Sequence, residues 1–165
     1  DIKFHDIPNT VAHSILSFRD YPINLLTVHI SGGMSMLIRA REAAHAIKSK
    51  IIGVSLLTSL DQKDIKRVFF NDTQKVADNL FDLAKEAKMD GIVCSAHELK
   101  YAMTNIPKLL KIVPGIRLSS NNDDQKRVMS PAEALDLGAN HLVIGRPITE
   151  SRHPNAELEK ILETL

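Results

Sequence analysis

The sequence contains few of the features that mark whole classes of protein. Its one cysteine, Cys94, cannot form a disulfide within the chain and lies in the apolar run GIVCS, so we expect a small buried side chain. This fits a reducing compartment, and we expect a cytoplasmic protein. No uncharged apolar run is long enough to span a membrane. The sequence has 21 basic and 20 acidic residues, so its net charge is +1. A net charge this small predicts no binding of nucleic acid or a membrane surface. Any bound anion must be held by local groups.

Six short apolar runs rich in β-branched residues alternate with amphipathic stretches. A length of 165 residues, 44% of them hydrophobic, suits a single globular domain, which we place at residues 1–165. Strands that alternate with helices in this way form parallel sheets with right-handed crossovers, covered by helices. The predicted strands are DIKF from Asp1, LLTVHI from Leu25, IIGVSLL from Ile51, GIVCS from Gly91, LKIVPGI from Leu110 and HLVIG from His141.

Two of the amphipathic stretches carry clear helical signals. Residues 73–89 place an apolar stripe at helical spacing, which predicts a helix packed on the core; the stripe is Val76, Leu80, Leu83, Ala84 and Ala87. The sequence SPAE places Ser130 as a helix cap, Pro131 at the first helical position and Glu133 where a capping box needs it. We expect that helix to end near Gly138.

The absence of a dinucleotide-binding fingerprint favours an incomplete barrel over an open sheet. An open doubly wound sheet would also accommodate six strands, but no Gly-x-Gly-x-x-Gly fingerprint follows any of them. A closed (β/α)8 barrel needs eight units and typically about 250 residues. We therefore expect an α/β chain that forms strands 3 to 8 of a (β/α)8 TIM barrel. The abrupt charged start also suggests that the sequence begins partway into a longer polypeptide.

The opening stretch DIKFHDIPNT combines charge with a predicted strand. Strand alternation puts Asp1 and Lys3 on one face, while Ile2 and Phe4 point to the other. In a parallel barrel the catalytic groups gather at the carboxyl ends of the strands, and inward positions elsewhere are filled by branched aliphatic residues. The placement indicates a functional site, although a solvated Asp-Lys pair at a strand end is the plain structural alternative.

The motif Asp-x-Lys-x-x-Asp-Ile-Pro-Asn-Thr resembles the signature of the orotidine 5'-phosphate decarboxylase family, bacterial type. The Asp-x-Lys-x-x-Asp part alone is weakly specific, because related sugar-phosphate decarboxylases and aldolase-like enzymes of the same barrel group carry it. Its specificity comes from further landmarks in family order along the whole chain. These are VHISGG from Val28, LLTSL from Leu56, GIVCSAHE from Gly91, PGIR from Pro114, DQKRVMSP from Asp124 and IGRPIT from Ile144.

The resemblance implies cofactor-free decarboxylation of orotidine 5'-phosphate to uridine 5'-phosphate, the last step of UMP synthesis. Loss of carbon dioxide leaves a carbanion at C6, and Lys3, kept protonated by nearby carboxylates, would stabilise it and deliver a proton. Asp1 would face the substrate carboxylate, a contribution that we rank below that of Lys3. The resemblance also implies a homodimer in which Asp6 and Thr10 reach the ribose of the neighbouring site. The implied catalytic residues are Lys3, Asp1 and Asp6.

Other implied site residues lie after later strands. Gly145 and Arg146 suit the 5'-phosphate, because phosphate sites follow the last strands of barrels. Arg117 and Gln125 match family ligands at the two ends of the polar segment LSSNNDDQK, which we expect to be a mobile loop that closes over substrate. The full substrate-binding set is Asp1, Ile2, Lys3, Phe4, His5, Asp6, Ile7, Pro8, Asn9, Thr10, Thr58, Ser59, Arg117, Gln125, Gly145 and Arg146.

Thr58 and Ser59 match the region that hydrogen-bonds the pyrimidine edge, and one of them is also a candidate helix N-cap. We interpret His29 as a packing residue, because no carboxylate partner for it is identifiable. We expect no metal, because the histidines lack ligand spacing.

Two alternatives stay open: a related sugar-phosphate decarboxylase, which would need magnesium, and a non-catalytic barrel fragment. The second arises because the family's first two strands carry a ribose-binding Asp and a second active-site Lys, which are absent from this sequence.

Overall fold

The computed structural model describes residues 2–117 and 129–165. Its centre is a sheet of six parallel strands, and each strand pairs with its neighbours in chain order. The strands are β1 (Lys3–Phe4), β2 (Leu25–His29), β3 (Lys50–Val54), β4 (Gly91–Val93), β5 (Leu110–Pro114) and β6 (His141–Val143). All six predicted strands are therefore present, although most end one to three residues earlier than predicted.

Helices connect successive strands, and two more follow β6. They are α1 (Pro8–Leu16), α2 (Met34–Ala46), α3 (Gln62–Phe69), α4 (Thr73–Glu86), α5 (Leu99–Asn105), α6 (Pro131–Asp136), α7 (Arg146–Thr149) and α8 (Pro154–Leu162), with short 3₁₀ turns at Ile30–Gly32 and Ala96–Glu98. None of the helices within the described ranges is both long and apolar enough to cross a membrane.

The strand order is that of a barrel wall. In a doubly wound sheet the order reverses at the point where the chain changes direction along the sheet. Here the order runs from β1 to β6 without reversal, and every pairing is parallel. The sheet is thus an arc in which β1 and β6 form the two edges.

The outer face of the arc packs against the helices. Phe4, Leu26 and Val28 face this way and join Val11 and Ile15 of α1 in one buried cluster. The predicted stripe of α4 joins the same core, since Val76, Leu80, Ala84 and Ala87 are buried and Leu83 packs against them. Burial of this apolar area, at about 25 cal/mol per Å², is the main force that holds the helices on the sheet.

The helix signals of SPAE are confirmed. Ser130 caps α6, and Glu133 returns the bond to the backbone N–H of Ser130 at 3.0 Å, which completes the capping box. These bonds lower the pKa of the Glu133 carboxyl, because they favour its charged form. Beyond the helix, Gly138 adopts a φ of 97°, the left-handed conformation that glycine tolerates best.

The burial of one lysine was not predicted. Lys111 of β5 is only 2% exposed, on the helix side of the sheet. Its ammonium donates a hydrogen bond to the carbonyl of Pro107 at 2.7 Å, and its backbone N–H donates to Asn140. Burial lowers the pKa of Lys111, because a low dielectric disfavours the charged form.

Candidate active site

The concave face of the sheet encloses a hollow of about 380 Å³. Residues in register share a face, so Lys3 of β1 lies beside Thr27 of β2 on the concave side. Within the described part of the chain, Lys3 is the one lining residue with a formal charge; the lining residues are Lys3, Leu25, Thr27, Val54, Leu56, Leu57, Thr58, Val93, Cys94, Ile112, Pro114 and Val143. Lys3 is exposed to solvent on this face. A ligand that filled the hollow would displace that water, and the ammonium would then act on its charge more strongly than it does in water.

The two residues of β1 point to opposite sides, as strand alternation predicts. Lys3 lines the hollow, whereas the Phe4 side chain is buried among the helices, with its ring edge-on to Phe18 at 6.3 Å between centroids. The Phe4 ring therefore does not line the hollow, and only the backbone of this residue could approach a ligand there. Residue Thr27 fixes the strand just before Lys3, since its hydroxyl donates to the carbonyl of Ile2 at 2.6 Å.

After β1 the chain makes a turn that leads into α1. The His5 ring lies over the ring of His29, with 5.3 Å between centroids and 37° between the ring planes. Asp6 is exposed, and its Oδ1 accepts a hydrogen bond from the backbone N–H of Ile7 at 2.6 Å. Pro8 starts α1, where its fixed φ and missing N–H suit the first helical turn.

The first turn of α1 presents polar side chains to solvent. Asn9 and Thr10 are exposed there, and Ile7 just before the helix is 67% exposed. Exposed side chains at the start of α1 are accessible to another molecule.

Burial and neighbouring charge alter the chemistry of His29. Burial, His5 and Lys3 all lower the pKa of His29, with burial as the largest cause, so its imidazole is neutral at pH 7. The thiol of Cys94 is almost fully buried, as predicted, and its pKa is raised by burial, which keeps it protonated.

Thr58 and Ser59 lie in the loop after β3. Thr58 lines the hollow and Ser59 is exposed. The expectation that one of them caps a helix is wrong, because α3 begins at Gln62 with Asp61 as its cap. The Asp61 carboxylate accepts from the backbone N–H groups of Lys63 and Asp64, and a carboxylate satisfies a helix start better than a hydroxyl two residues further away.

The loops after β5 and β6 carry the predicted phosphate ligands. Arg117 follows β5, and its backbone N–H donates to the carbonyl of Met129 at 3.1 Å. Gly145 caps α7, and a Cβ added there would meet no atom within 4 Å, so its backbone borders open space. Arg146 is the first residue of α7 and is half-buried. Asp1 and Gln125, which are also predicted site residues, lie outside the described residues.

The family model described as Orotidine 5'-phosphate decarboxylase / HUMPS matches residues 1–161. The chain belongs to this family.

Similar proteins include orotidine 5'-phosphate decarboxylases from several bacteria. The chain is 46% identical to that of Ehrlichia chaffeensis, over 98% of this chain and 71% of the relative. It is 42% identical to that of Saccharophagus degradans, over 98% of this chain and 70% of the relative. The crystal structure of orotidine 5'-phosphate decarboxylase from Lactobacillus acidophilus superposes with a TM-score of 0.83 at 32% identity, over 99% of this chain and 73% of that one.

These findings confirm the predicted barrel class and the resemblance on which the site was predicted. In this decarboxylase-family chain the parallel strands bring Lys3 and Thr58 to one hollow, and Arg117, Gly145 and Arg146 follow the carboxyl ends of β5 and β6 at the same edge. His29 is a neighbour of Lys3 that the sequence did not single out as functional. The available sequence signal for its place near the site was its position at the end of β2, two residues after Thr27.

Across the described ranges, no group of three or more His, Cys, Asp or Glu side chains is placed to hold a metal ion.

Proposed function

We propose that this chain carries the reaction centre of an orotidine 5'-phosphate decarboxylase that forms uridine 5'-phosphate and carbon dioxide. The observation that carries the proposal is Lys3: it is a cation in the wall of an apolar hollow, within the signature motif of the family. The similar proteins named as orotidine 5'-phosphate decarboxylases support the same substrate.

The chemistry follows from the charge at Lys3. The bond between C6 and the carboxylate breaks, carbon dioxide leaves, and the electron pair stays on C6. The Lys3 ammonium stabilises this carbanion and then transfers a proton from Nζ to C6, so that charge and atoms balance. Asp1 faces the substrate carboxylate and favours its departure through like-charge repulsion. No cofactor is required for these steps.

The remaining site residues bind the ends of the nucleotide. Gly145 and Arg146 hold the 5'-phosphate, supported by the open space beside Gly145 and the placement of both residues after the last strand. Arg117 and Gln125 complete the phosphate site. The loop with Thr58 and Ser59 hydrogen-bonds the pyrimidine edge, and the backbone from Ile2 to Thr10 frames the ribose, so that His5, Ile7, Pro8 and Asn9 shape the site around Lys3.

We further propose a cytoplasmic homodimer in which Asp6 and Thr10 complete the partner's site, supported by their exposure at the start of α1. Mixing Lys3→Ala with Asp6→Asn tests this, because each mixed dimer then contains one intact site. Random exchange of subunits restores about a quarter of the wild-type rate. If the mixture is no more active than the two variants measured separately, the shared site is wrong.

The experiment on the activity uses the full-length protein and follows the ultraviolet loss of orotidine 5'-phosphate, with the product identified by mass spectrometry. We expect uridine 5'-phosphate and an unchanged rate after treatment with a chelator. Loss of activity on chelation, with recovery on addition of magnesium, would favour the sugar-phosphate decarboxylase alternative. Nucleotide binding without turnover would favour the non-catalytic fragment.

A further inference from the structure

We propose that His29 is a positioning residue of the site: its ring, packed on His5, holds the turn of residues 5–7 and so fixes Asp6, which the proposed dimer presents to the partner's site. The inference rests on the proposed function for its catalytic consequence. The structural part depends only on contacts between β1 and β2.

β2 holds β1 on both sides of Lys3. Before Lys3, the Thr27 hydroxyl donates to the carbonyl of Ile2 at 2.6 Å. After Lys3, the His29 ring lies against the His5 ring at 5.3 Å between centroids. The register pairs Lys3 with Thr27, and the two contacts lie at the residue before Lys3 and at the second residue after it.

The His5 ring has a second neighbour at Gly32. An added Cβ at Gly32 would lie 3.3 Å from Cδ2 of His5, so the ring is in close reach of the backbone at Gly32. The same added atom would collide with the Met36 side chain, which fills the space beneath Gly32. His5 is thus located by His29 and by the backbone of the 3₁₀ turn after β2.

The turn is tied to α1 at its far end, where the carbonyl of Ile7 accepts a hydrogen bond from the N–H of Val11 at 3.1 Å. Asp6 is exposed, and its Oδ1 accepts from the adjacent N–H of Ile7. Contacts at His5 add a restraint on this segment from β2. A displacement of about 1 Å in a reacting group can cost about a hundredfold in rate, so a ring contact next to Lys3 bears on catalysis.

The charge state of His29 suits this role. Burial lowers the pKa of His29, and the proximity of His5 and Lys3 lowers it further. A neutral ring packs on His5 without adding a second positive charge beside Lys3. Neutral packing also explains why a carboxylate partner is not needed.

The test compares His29→Ala with His29→Phe, which keeps an aromatic face, and uses His141→Ala as a control. His141 is exposed and lies at the start of β6, at the opposite end of the sheet. Two quantities are measured in the full-length protein: amide hydrogen exchange at Ile7, and kcat and KM for orotidine 5'-phosphate. Both are also measured in the Asp6→Asn background.

We expect His29→Ala to speed exchange at Ile7 and to lower kcat by about tenfold to a hundredfold. His29→Phe recovers most of both losses, and His141→Ala changes neither. In the Asp6→Asn background the effect of His29→Ala on kcat becomes several-fold smaller, because the two residues act through one turn.

Unchanged exchange at Ile7 in His29→Ala would overturn the inference, as would equal factors in the two backgrounds or a Phe variant as poor as Ala. These outcomes differ from a failure of the proposed function. If the wild-type protein does not consume orotidine 5'-phosphate, that function fails, while exchange at Ile7 still decides whether the ring holds the turn.

Discussion

Three helices of this chain end in the same backbone turn, but with different residues at its left-handed position. Lys48, Lys88 and Gly138 follow α2, α4 and α6 with φ values of 61°, 55° and 97°. In each turn the N–H of the next residue donates to a carbonyl five residues back, at 2.9 to 3.0 Å. The geometry favours glycine at this position, so replacing the two exposed lysines by glycine should stabilise the fold.

The magnitude follows from three opposing contributions. A left-handed conformation costs a residue with a side chain about 1–2 kcal/mol; glycine's greater freedom in the unfolded chain costs about 0.5–1 kcal/mol, and losing a lysine at a helix end about 0.3 kcal/mol. Each Lys→Gly change should therefore raise the free energy of unfolding by about 0.5 kcal/mol. The reverse change, Gly138→Ala, should lower it by about 1 kcal/mol, because its new Cβ also displaces the Met103 sulfur, 2.5 Å away.

Urea unfolding measures these differences, provided that the slope with denaturant stays constant. The Lys48→Gly, Lys88→Gly double variant should gain about 1 kcal/mol, or roughly 2–4 °C in Tm. Lys85→Gly is the matched control: the same replacement within the last turn of α4 should cost about 1 kcal/mol. If Lys88→Gly destabilises the protein as much as Lys85→Gly does, the reasoning about the turn is refuted.

Three further predictions concern buried groups. Burial lowers the folded-state pKa of Lys111, so its ammonium costs stability at neutral pH, and this cost disappears as the pH rises towards the ordinary lysine pKa of 10.5. The stability of Lys111→Met relative to wild type should therefore fall over that pH range. A constant difference between the two proteins would contradict this. Asp90→Ala should lower the free energy of unfolding in urea by about 1–3 kcal/mol, because the backbone N–H of the buried Ile51 loses its acceptor, the carboxylate 2.8 Å away. Asp90→Asn should lower it less, and equal losses for the two variants would contradict this. Cys94 should react with a thiol reagent only on unfolding, and rapid labelling of the native protein would show that its burial is wrong.

The strands could be predicted because buried strands are encoded by short runs rich in β-branched residues. Their carboxyl ends could not, since apolar residues continue past the last ladder bonds. Leu56 and Cys94 lie beyond β3 and β4 and are buried while lining the hollow, so they resemble strand residues in a pattern based on hydrophobicity alone. The N-cap of α3 was missed because Thr58, Ser59 and Asp61 are all residue types that cap helices. Which of them is the cap depends on where the helix begins, and α3 begins at Gln62.

Lys3 and its orientation could be predicted from alternation and the family motif, because the side of a strand follows directly from parity. The roles of His29 and Lys111 depend on contacts that the hydrophobic pattern does not indicate. His29 contacts His5 across the β1–β2 pair, between segments far apart in the sequence. The Lys111 ammonium reaches the carbonyl of Pro107, only four residues earlier, but its burial depends on how the helices cover the sheet.

In the proposed function the Lys3 ammonium drives loss of carbon dioxide in the hollow. The most direct test is kcat of full-length Lys3→Ala with orotidine 5'-phosphate, beside Lys50→Ala, an exposed lysine at the start of β3. We predict that kcat of Lys3→Ala falls by about 10³-fold or more, with binding of uridine 5'-phosphate retained, and that Lys50→Ala matches wild type. A Lys3→Ala enzyme within about tenfold of wild type would contradict the claim.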